Sequence, residues 1–586
     1  MESAATVGRA VVSGRERLAG IAASPWFAYG SVVLIQSKVL WGIWQYRDLS
    51  AGDTSNYFVN ANAWAEHLEV DPLFSPLYTA FWGSLKWIFN DVYAVTIAHR
   101  VVIAAAVSIL VLAVLRRLLS PSVAWAMAVW WALLPVNYDT LNEVHLFSLL
   151  PILVAILVAL RYSGTRMRAA VFGILLGAAV VQRNETLVAA LAWLVICLAY
   201  EWYRRRRALQ EGKQPTPPRR VLTPIGVATL AVILLAALTL WRSADDLSAS
   251  GWIHRAQWKQ DFALCQHYAV GYQQRHHADP TRGWLDCESF MQRDFGSPQP
   301  SFFEALASNP SAMGGHFGWN ATLFPYAVQL ALFDRTSGSD FHDPDYVPVD
   351  TGSLLVLTGS LAVLAFVALG FRLLWIRRQW WWSSRLRARA WGWAAIGCSA
   401  LLGIWVAITT HPRPAYIFPF NFALFALIGM CAMAVAERWP ALGRLRAAVP
   451  VAALLLVVLV PSHYQPGYAN PLSGPGRGAA AMVSRLEPYR DELRGENTTL
   501  LGPHSFEVCN YLLPEDPCEG SHLGLLDPRG GDANEWLARN GVDFVYADET
   551  VLADPSSRLA LARLQRQGWR RLGPANPRSA GWLLLG

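Results

Sequence analysis

Long apolar runs separated by short polar stretches dominate the sequence between residues 25 and 462. A helix needs about 20 consecutive, mostly apolar residues to cross the hydrocarbon core of a bilayer. About eleven segments approach this length, and the pattern therefore predicts an α-helical polytopic membrane protein. The predicted spans are residues 26–46, 93–115, 123–136, 145–162, 169–181, 187–203, 222–241, 352–375, 390–410, 416–436 and 447–462.

Composition argues against a soluble enzyme, because 54% of the 586 residues are hydrophobic and only 16% are charged. The net charge of +7 falls mainly in predicted loops that face anionic lipid, so we expect membrane lipids and no nucleic acid as partners. Segment 26–46 lacks a small-residue cleavage site after a short apolar core, and we expect it to be retained as the first helix.

Arginine clusters occupy every second connection between the predicted spans. Short loops rich in Lys and Arg remain on the cytoplasmic side. If the number of spans is odd and all clusters lie on the cytoplasmic side, the amino terminus is in the cytoplasm and the carboxyl terminus is outside. The clusters are Arg9, Arg15 and Arg17; Arg116 and Arg117; Arg161, Arg166 and Arg168; Arg204 to Arg207 with Arg219 and Arg220; Arg372, Arg377, Arg378, Arg385, Arg387 and Arg389; and Arg438, Arg444 and Arg446.

The same pattern divides the chain into a cytoplasmic tail (1–24), a membrane domain (25–462) and an extracytoplasmic α/β domain (463–586). Two long outer loops, 47–92 and 242–350, belong to the membrane domain. In the last region short apolar runs alternate with helical stretches, which indicates a compact α/β fold. Its predicted strands are 498–502, 544–547 and 582–585, and its predicted helices are 479–494 and 534–540.

Aromatic and amphipathic stretches at 301–306 and 319–333 of the second loop predict helices that lie along the membrane interface. Neither half of the chain contains an internal repeat, which argues against an inverted-repeat transporter.

The seven cysteines separate into two groups. Cys197, Cys398 and Cys431 lie inside predicted helices, where a cysteine is usually a small buried hydrophobe. The other four fall on the predicted outer side, and two nearby pairs in an oxidising compartment predict disulfides. Four free thiols are the alternative, while neither pair has the spacing of a zinc site. The predicted disulfides are Cys265–Cys287 and Cys509–Cys518.

Ionisable residues at the outer ends of the predicted spans are candidates for function, because charge at membrane depth is costly. The first outer loop carries Asp53 in a Gly-Asp-Thr segment directly after the first span, and continues to Lys86. Asp53 is suited to take a proton from a hydroxyl nucleophile. A helix cap or a turn is the structural alternative for this aspartate.

A second candidate lies at the start of the fourth span, where Glu143 and His145 stand two residues apart. Glu143 is suited to orient an acceptor, or to hold a divalent cation together with Asp53 and His145. The alternative is a carboxylate that interacts favourably with the helix dipole.

Two further candidates are the turn that holds Arg183 and Glu185 and the segment H-P-R-P-A-Y at 411–416. Arg183 and Glu185 can simply pair with each other. Arg413 breaks the charge rule on the outer side, and its planar fork suits a phosphate, as does the point charge of Lys86. An arginine that contacts lipid headgroups is the alternative. His316 in the large loop is a weaker candidate.

Together these residues resemble the GT-C superfamily of integral membrane glycosyltransferases, in particular its bacterial branch of protein O-mannosyltransferases and lipid A aminoarabinose transferases. The resemblance covers most of residues 25–436. The matching elements are Gly52-Asp53-Thr54, Pro76–Tyr78, Arg183-Asn-Glu185 and the segment from Arg413 through Tyr416 to Pro419.

The resemblance implies transfer of a sugar, with inversion, from a polyprenyl-phosphate donor to a glycan, lipid or protein acceptor at the outer face of a bacterial inner membrane. It implies that Asp53 is the base. Arg413, Lys86 and Arg183 then bind the donor phosphate, and Glu143 acts with Asp53 in catalysis. Supporting or acceptor-side roles fall to Glu185, His145, Tyr416 and His316. No cofactor is certain, and a divalent metal is possible.

Three other functions remain open on the sequence. An envelope polymer ligase or polymerase would also use a large outer loop with arginine and histidine. A transporter or flippase of lipid-linked saccharides would place charges at the middle of its helices. A scaffold for an envelope complex would leave Asp53 dispensable.

Overall fold

The computed structural model describes residues 16–45, 53–89, 91–138, 143–214, 219–243, 249–278, 286–338, 353–376, 389–439, 444–462, 486–493, 498–501, 505–513, 518–521, 544–547, 555–571 and 582–585, with isolated positions between them. Some side chains within these ranges, that of Asp53 among them, lie outside the description. Two compact units divide the chain. The first unit contains Met1–Gly42 and Arg100–Pro471, and the second contains Ile43–His99 and Leu472–Gly586.

Helices make up most of the described chain. In chain order they are α1 (Glu16–Ala23), α2 (Pro25–Val39), α3 (Asp53–His67), α4 (Pro76–Lys86), α5 (Val92–Leu118), α6 (Pro121–Leu133), α7 (Glu143–Arg161), α8 (Gly164–Val181), α9 (Leu187–Gln210), α10 (Arg219–Trp241), α11 (Ala249–Arg275), α12 (Cys287–Phe295), α13 (Phe302–Ser308), α14 (Pro310–Phe333), α15 (Leu354–Ile376), α16 (Ala390–Thr409), α17 (Phe418–Arg438), α18 (Val449–Leu459), α19 (Arg490–Leu493), α20 (Ser505–Leu512) and α21 (Pro555–Arg566).

Eight helices of the described part are long and apolar enough to span a membrane, namely α5, α7, α8, α9, α10, α15, α16 and α17. A bent pair, α1 and α2, passes the same test when it is counted as one span. Pro25 begins α2 and lacks a backbone N–H, which accounts for the bend of 72° between them. The shorter apolar helices α6 and α18 cover the two remaining predicted spans. The prediction of a polytopic helical protein is confirmed.

Burial distinguishes central from peripheral helices. In α17, 67% of the most apolar 18-residue stretch is buried inside the protein, whereas in α10 and α15 the corresponding share is only 11%. Their exposed large side chains are mainly leucine, valine, isoleucine and phenylalanine, which suit contact with lipid tails, and Trp241 and Trp375 lie near the helix ends. α17 is therefore an inner helix of the first unit, and α10 and α15 lie at its edge.

Basic residues at the predicted cytoplasmic helix ends are tied into the bundle. Arg168 on α8 pairs with Glu201 on α9 at 2.5 Å, and both side chains are buried. Arg389 donates a hydrogen bond to the carbonyl oxygen of Leu118 at 2.6 Å, where α5 ends. Because the last carbonyls of a helix lack partners within the helix, this arginine also satisfies an otherwise open acceptor.

The large outer loop forms a small core of its own from α11, α12, α13 and α14. Tyr268, Met291 and Met313 pack in its centre. A disulfide joins Cys265 on α11 to Cys287 on α12, as predicted. The stretches predicted as interface helices are α13 and α14. Cys197, Cys398 and Cys431 are free and buried, also as predicted.

The second unit contains α3, α4 and the carboxyl-terminal elements. Five strands form one sheet in the order β2-β1-β3-β5-β4, with β1 parallel to β2 and β3, and β5 antiparallel to β3 and β4. Strands β1, β3 and β5 confirm the three predicted strands. The strands are β1 (Thr498–Leu501), β2 (Cys518–Ser521), β3 (Phe544–Ala547), β4 (Arg570–Arg571) and β5 (Trp582–Leu585). Within the predicted helix 479–494 the structure has a 3-10 turn, Glu487–Tyr489, followed by α19. Most of the predicted helix 534–540 lies outside the described residues.

The first unit includes the predicted tail 1–24 and extends to Pro471, beyond the predicted boundary at 462, and the first outer loop lies in the other unit. We expected the first outer loop to belong to the membrane domain, but residues 53–89 fall in the same unit as the carboxyl-terminal elements. The physical reason is an aromatic face on α3, whose Phe58 packs on Tyr511 of α20 with ring centroids 4.8 Å apart. Alternation of apolar spans along a sequence carries no information about such a contact.

Close helix packing in the first unit depends on Gly370 of α15. A Cβ atom there would overlap the Cα, Cβ and Sγ atoms of Cys431 on α17, including the backbone atom at 2.8 Å. We therefore expect Gly370→Ala to lower the free energy of unfolding by about 1–3 kcal/mol, the usual range for overpacking. The measurement is the thermal unfolding midpoint in detergent.

Gly397→Ala on α16 is the matched control, because nothing lies within 4 Å of the added Cβ there. An equal midpoint for the two variants would contradict this packing of α15 against α17.

Candidate functional site

An open cavity lies in the first unit where three predicted outer segments meet. Its polar wall contains His145 of α7 and Arg183 and Glu185 of the turn before α9, together with Tyr416 before α17. Its apolar wall comes from α7, α16 and the segment that leads into α17. The apolar lining residues are Ile152, Leu402, Val406, Ala415 and Pro419. Three of the four segments singled out from the sequence therefore share one cavity.

Tyr416 lies at the centre of this group. The ring of His145 is 4.7 Å from the Tyr416 ring, measured between centroids. The Cζ atoms of Arg183 and Arg413 lie 6.0 and 5.8 Å from the same ring centroid. Two guanidinium groups beside one aromatic ring make cation–π contacts and concentrate positive charge next to the cavity.

The segment 411–416 holds these groups through its prolines. Pro412 and Pro414 cannot donate a backbone hydrogen bond, so helix α16 ends at Thr409. The chain then turns tightly, because the N–H of Arg413 donates to the carbonyl of His411 at 2.9 Å and the N–H of Tyr416 donates to the carbonyl of Arg413 at 3.0 Å. These local bonds bring Arg413 and Tyr416 to the same side of the turn.

The turn before α9 forms an ion pair of its own. Arg183 donates to Glu185 through Nη2 at 2.7 Å and through Nε at 3.3 Å. The sequence analysis gave this pairing as the alternative to a functional role, and the ion pair is present at the cavity wall. Lys259 on α11 also acts electrostatically on Glu185. Among the described residues, three cations, Arg183, Arg413 and Lys259, therefore accompany one carboxylate.

Helix α14 of the outer loop closes over the end of α16. Asn320 donates from Nδ2 to the carbonyl oxygens of Ile408 at 2.9 Å and Thr410 at 3.1 Å. The Nε2 atom of His316 lies 3.2 Å from the carbonyl oxygen of Thr409. These contacts satisfy carbonyls that α16 leaves open at its end. Burial lowers the pKa of His316 to about 4. His316 therefore supports the turn as a neutral imidazole.

His267 on α11 is a residue that the sequence analysis missed. Its ring lies 6.0 Å from the Tyr416 ring and stacks on the His411 ring at 6.1 Å between centroids. Burial, with smaller contributions from the charges of Arg413 and His316, lowers the pKa of His267 to about 3. Lys259 and His267 are eight residues apart, so helical periodicity alone indicates that they share a face of α11.

Glu143 does not share the cavity of His145, although only one residue separates them. It is buried and accepts a hydrogen bond from Nε of Arg100 on α5 at 2.9 Å. Together with Asn137 and Tyr138, this pair lines a second, small cavity. Neighbouring helical positions point to different sides, which separates Glu143 from His145. Arg100 was not identified from the sequence.

The possible cation site of Asp53, Glu143 and His145 finds no support in the described residues, among which no group of three or more His, Cys, Asp or Glu side chains could hold a metal ion. The side chain of Asp53 lies outside the described residues, as does that of Cys518. Cys509 is disulfide-bonded, and its pairing with Cys518 remains a prediction.

Asp53 and Lys86 belong to the second unit. Asp53 is the first residue of α3, and its alternative role as a helix cap remains a prediction because its side chain lies outside the described residues. Lys86 ends α4 and donates to Glu66 of α3 at 3.3 Å. This ion pair joins α3 to α4, so Lys86 has a structural role whether or not it also binds a phosphate.

No protein-family model matches the sequence, and no curated protein matches it. The geometry of the cavity and of its neighbourhood is therefore the basis for a functional interpretation.

The lowered pKa of His267 predicts a pH dependence of stability. The pKa of an unfolded histidine is about 6.5, so between about pH 6.5 and pH 3 the unfolded chain binds more protons at this position than the folded protein. The free energy of unfolding must fall as the pH falls through this range. We expect the thermal midpoint of His267→Gln to fall less between pH 6.5 and pH 4 than the midpoint of the wild type.

His254→Gln provides the control, because His254 is an exposed histidine on the same helix. A wild-type pH dependence in the His267→Gln variant would show that His267 is not the group responsible.

The Arg100–Glu143 pair predicts that the effects of replacing the two residues on stability are not additive. Arg100→Met leaves a buried carboxylate without its charged partner, which typically costs about 3–5 kcal/mol. The double variant Arg100→Met/Glu143→Leu removes both charges, and we expect its thermal midpoint in detergent to exceed that of Arg100→Met. If the midpoint of the double variant falls by the sum of the losses in Arg100→Met and Glu143→Leu, a direct interaction between the two side chains is contradicted.

Proposed function

We propose that the protein is an integral membrane glycosyltransferase that moves a sugar from a polyprenyl-phosphate donor to an acceptor hydroxyl at the outer face of the membrane. The acceptor is a glycan, a lipid or a protein. The proposed location is a bacterial inner membrane, with the amino terminus in the cytoplasm and an α/β domain formed by the carboxyl-terminal elements outside.

The observation that carries this proposal is the composition of the cavity around Tyr416. Arg183 lines the cavity, and the guanidinium of Arg413 lies 5.8 Å from the ring of Tyr416, which also lines it. Ile152, Leu402 and Val406 line the apolar part of the wall. A cationic end next to an apolar wall suits an anion that carries a hydrocarbon tail. Planar guanidinium groups bind phosphate in a bidentate manner, which favours a phosphate over a carboxylate of similar charge.

The proposed chemistry is a direct displacement. The acceptor oxygen attacks the anomeric carbon, the bond from that carbon to the phosphate oxygen breaks, and the acceptor proton passes to the carboxylate of Asp53. Polyprenyl phosphate leaves with one more negative charge than the donor phosphodiester carried. Cations fixed beside the leaving group stabilise this developing charge, which is the largest contribution in many enzymes.

The supporting residues have separate roles in this proposal. His145 and Tyr416 contact the sugar or the acceptor from the polar wall. The Arg183–Glu185 pair keeps one guanidinium oriented towards the cavity, and His316 keeps the turn before α17 in place. Lys86 adds positive charge in the second unit, and a direct contact with phosphate would compete with its ion pair to Glu66.

Glu143 enters the proposal only as a secondary candidate. Its ion pair with Arg100 favours a role in holding α5 against α7. The stable double variant Arg100→Met/Glu143→Leu separates the two roles. Retained transfer in that variant assigns Glu143 to structure, and lost transfer assigns it to catalysis.

The test is a transfer assay in membranes with radiolabelled polyprenyl-phosphate sugars. We expect Asp53→Asn to abolish transfer, and Arg413→Met to reduce kcat by about 10²–10³-fold, the usual loss when one group that stabilises a developing charge is removed. Arg413→Lys should recover only part of the activity, because an ammonium lacks the planar fork. Assays with and without EDTA measure the dependence on a divalent metal.

The matched control is Arg161→Met, which removes an exposed arginine at the far end of α7, the helix that carries His145. Binding of the product is measured separately, as the rise in thermal midpoint on addition of a short-chain polyprenyl phosphate. The wild type and Asp53→Asn should both be stabilised, and Arg413→Met should not.

Other outcomes identify the other functions. Full transfer by Asp53→Asn would exclude Asp53 as the base. Binding of lipid-linked saccharides without transfer would indicate a transporter or flippase, and transfer of whole polymers would indicate a ligase. If polyprenyl phosphate raised the thermal midpoint of the wild type and of Arg413→Met equally, the cavity would not be the phosphate site.

A further inference from the structure

Helix α3, which begins at Asp53, is held on one side by α4. Tyr57 and Tyr78 form an edge-to-face pair, with ring centroids 5.3 Å apart. Trp64 donates from Nε1 to Oγ of Ser84 at 3.0 Å. A Cβ atom at Gly83 would overlap the backbone of α3, so the two helices are as close as a glycine permits.

The other contact of α3 comes from the carboxyl-terminal region, 455 residues further along the chain. Asn510 of α20 donates from Nδ2 to Oγ of Ser55 at 3.0 Å, and Ser55 is fully buried. The ring of Tyr511 packs on Phe58, and both side chains are buried. One polar and one aromatic contact therefore join α20 to the first two turns of α3.

Helix α20 is itself anchored. Val508 and Leu512 are completely buried, and Cys509, directly before Asn510, is disulfide-bonded. The helix follows β1 and returns to β2, which pairs with β1 in parallel. Asn510 and Tyr511 are thus presented to α3 from a helix with buried side chains on either side of them and a disulfide at Cys509.

The first turn of a helix is its least constrained part, because its N–H groups have no partners within the helix. Ser55 is two residues beyond Asp53, so the hydrogen bond from Asn510 lies within that turn. Small errors in the placement of a catalytic group are costly, and a displacement of 1 Å can reduce a rate by about 10²-fold.

We propose that Asn510 and Tyr511 are positioning residues, which hold the first turn of α3 and thereby orient Asp53 for the transfer reaction. This inference rests on the proposed function of Asp53 as the base. It makes the carboxyl-terminal region part of the catalytic machinery, and an attached scaffold would not have this property.

The experiment compares kcat and donor KM of the full-length protein for Asn510→Ala, Asn510→Asp and Arg563→Ala. We expect Asn510→Ala to lower kcat about tenfold with little change in donor KM and in the thermal shift produced by polyprenyl phosphate. An aspartate at 510 can accept a hydrogen bond from the Ser55 hydroxyl, so Asn510→Asp should regain most of kcat. Arg563 is exposed on α21, and its replacement should change nothing.

A second arm asks whether Asn510 acts through α3. Asn510→Ala should cause no further loss of kcat in a Ser55→Ala background, because the hydrogen bond is already absent there. Tyr511→Leu should lower kcat in the same manner as Asn510→Ala, and folding of each variant is checked by its thermal midpoint.

The two proposals fail in different ways. Full activity of Asp53→Asn would remove the base on which this inference rests, whatever the Asn510 variants do. Loss of activity in Asp53→Asn together with unchanged kcat in both folded Asn510→Ala and Tyr511→Leu would overturn the positioning role alone. A rise in donor KM together with weaker product binding, in place of a lower kcat, would also overturn the positioning role.

Discussion

The hydrocarbon core of the membrane is the constraint on which the rest of the structure depends. Backbone groups in that environment must be satisfied within helices, and charges are tolerated only near the ends or in buried pairs. Arg168 with Glu201 is such a pair, and Arg389 satisfies a carbonyl at the end of α5. Ordinary helix ends thus become the places where polar side chains collect.

The cavity around Tyr416 is a consequence of this collection. The first turn of α7 and the turns before α9 and α17 contribute His145, Arg183 and Tyr416, and the membrane helices contribute mainly apolar side chains. The outer loop then completes the neighbourhood with His267 on α11 and His316 on α14. Burial keeps both histidines neutral by lowering each pKa, so the arginines retain the positive charge of the site without competition. A site of this kind favours an anion attached to an apolar chain.

The second unit links the two ends of the sequence. Helix α3 lies between α4 and α20, with Gly83 on one side and Asn510 on the other. Its tertiary contacts explain why the first outer loop belongs with the carboxyl-terminal elements. They also join the first turns of α3 to a region that apolar patterning describes only by its short apolar runs.

Hydropathy and charge by themselves determined the polytopic helical architecture, because the length of apolar sequence needed to cross a bilayer is set by the bilayer itself. The sequence also determined the disulfide between Cys265 and Cys287, three strands of the sheet, and the residues His145, Arg183, Glu185 and Tyr416 that share one cavity. Their common signal was polar character at predicted outer helix ends.

Only the tertiary structure decided which of these residues meet. Glu143 pairs with Arg100 and faces a cavity apart from that of His145, because side chains two residues apart on a helix point in different directions. His267 and Lys259 come from a loop helix whose docking site is not encoded in any local pattern. The contact between Ser55 and Asn510 joins positions 455 residues apart, and long-range packing of that kind follows from the shapes of folded surfaces rather than from periodicity.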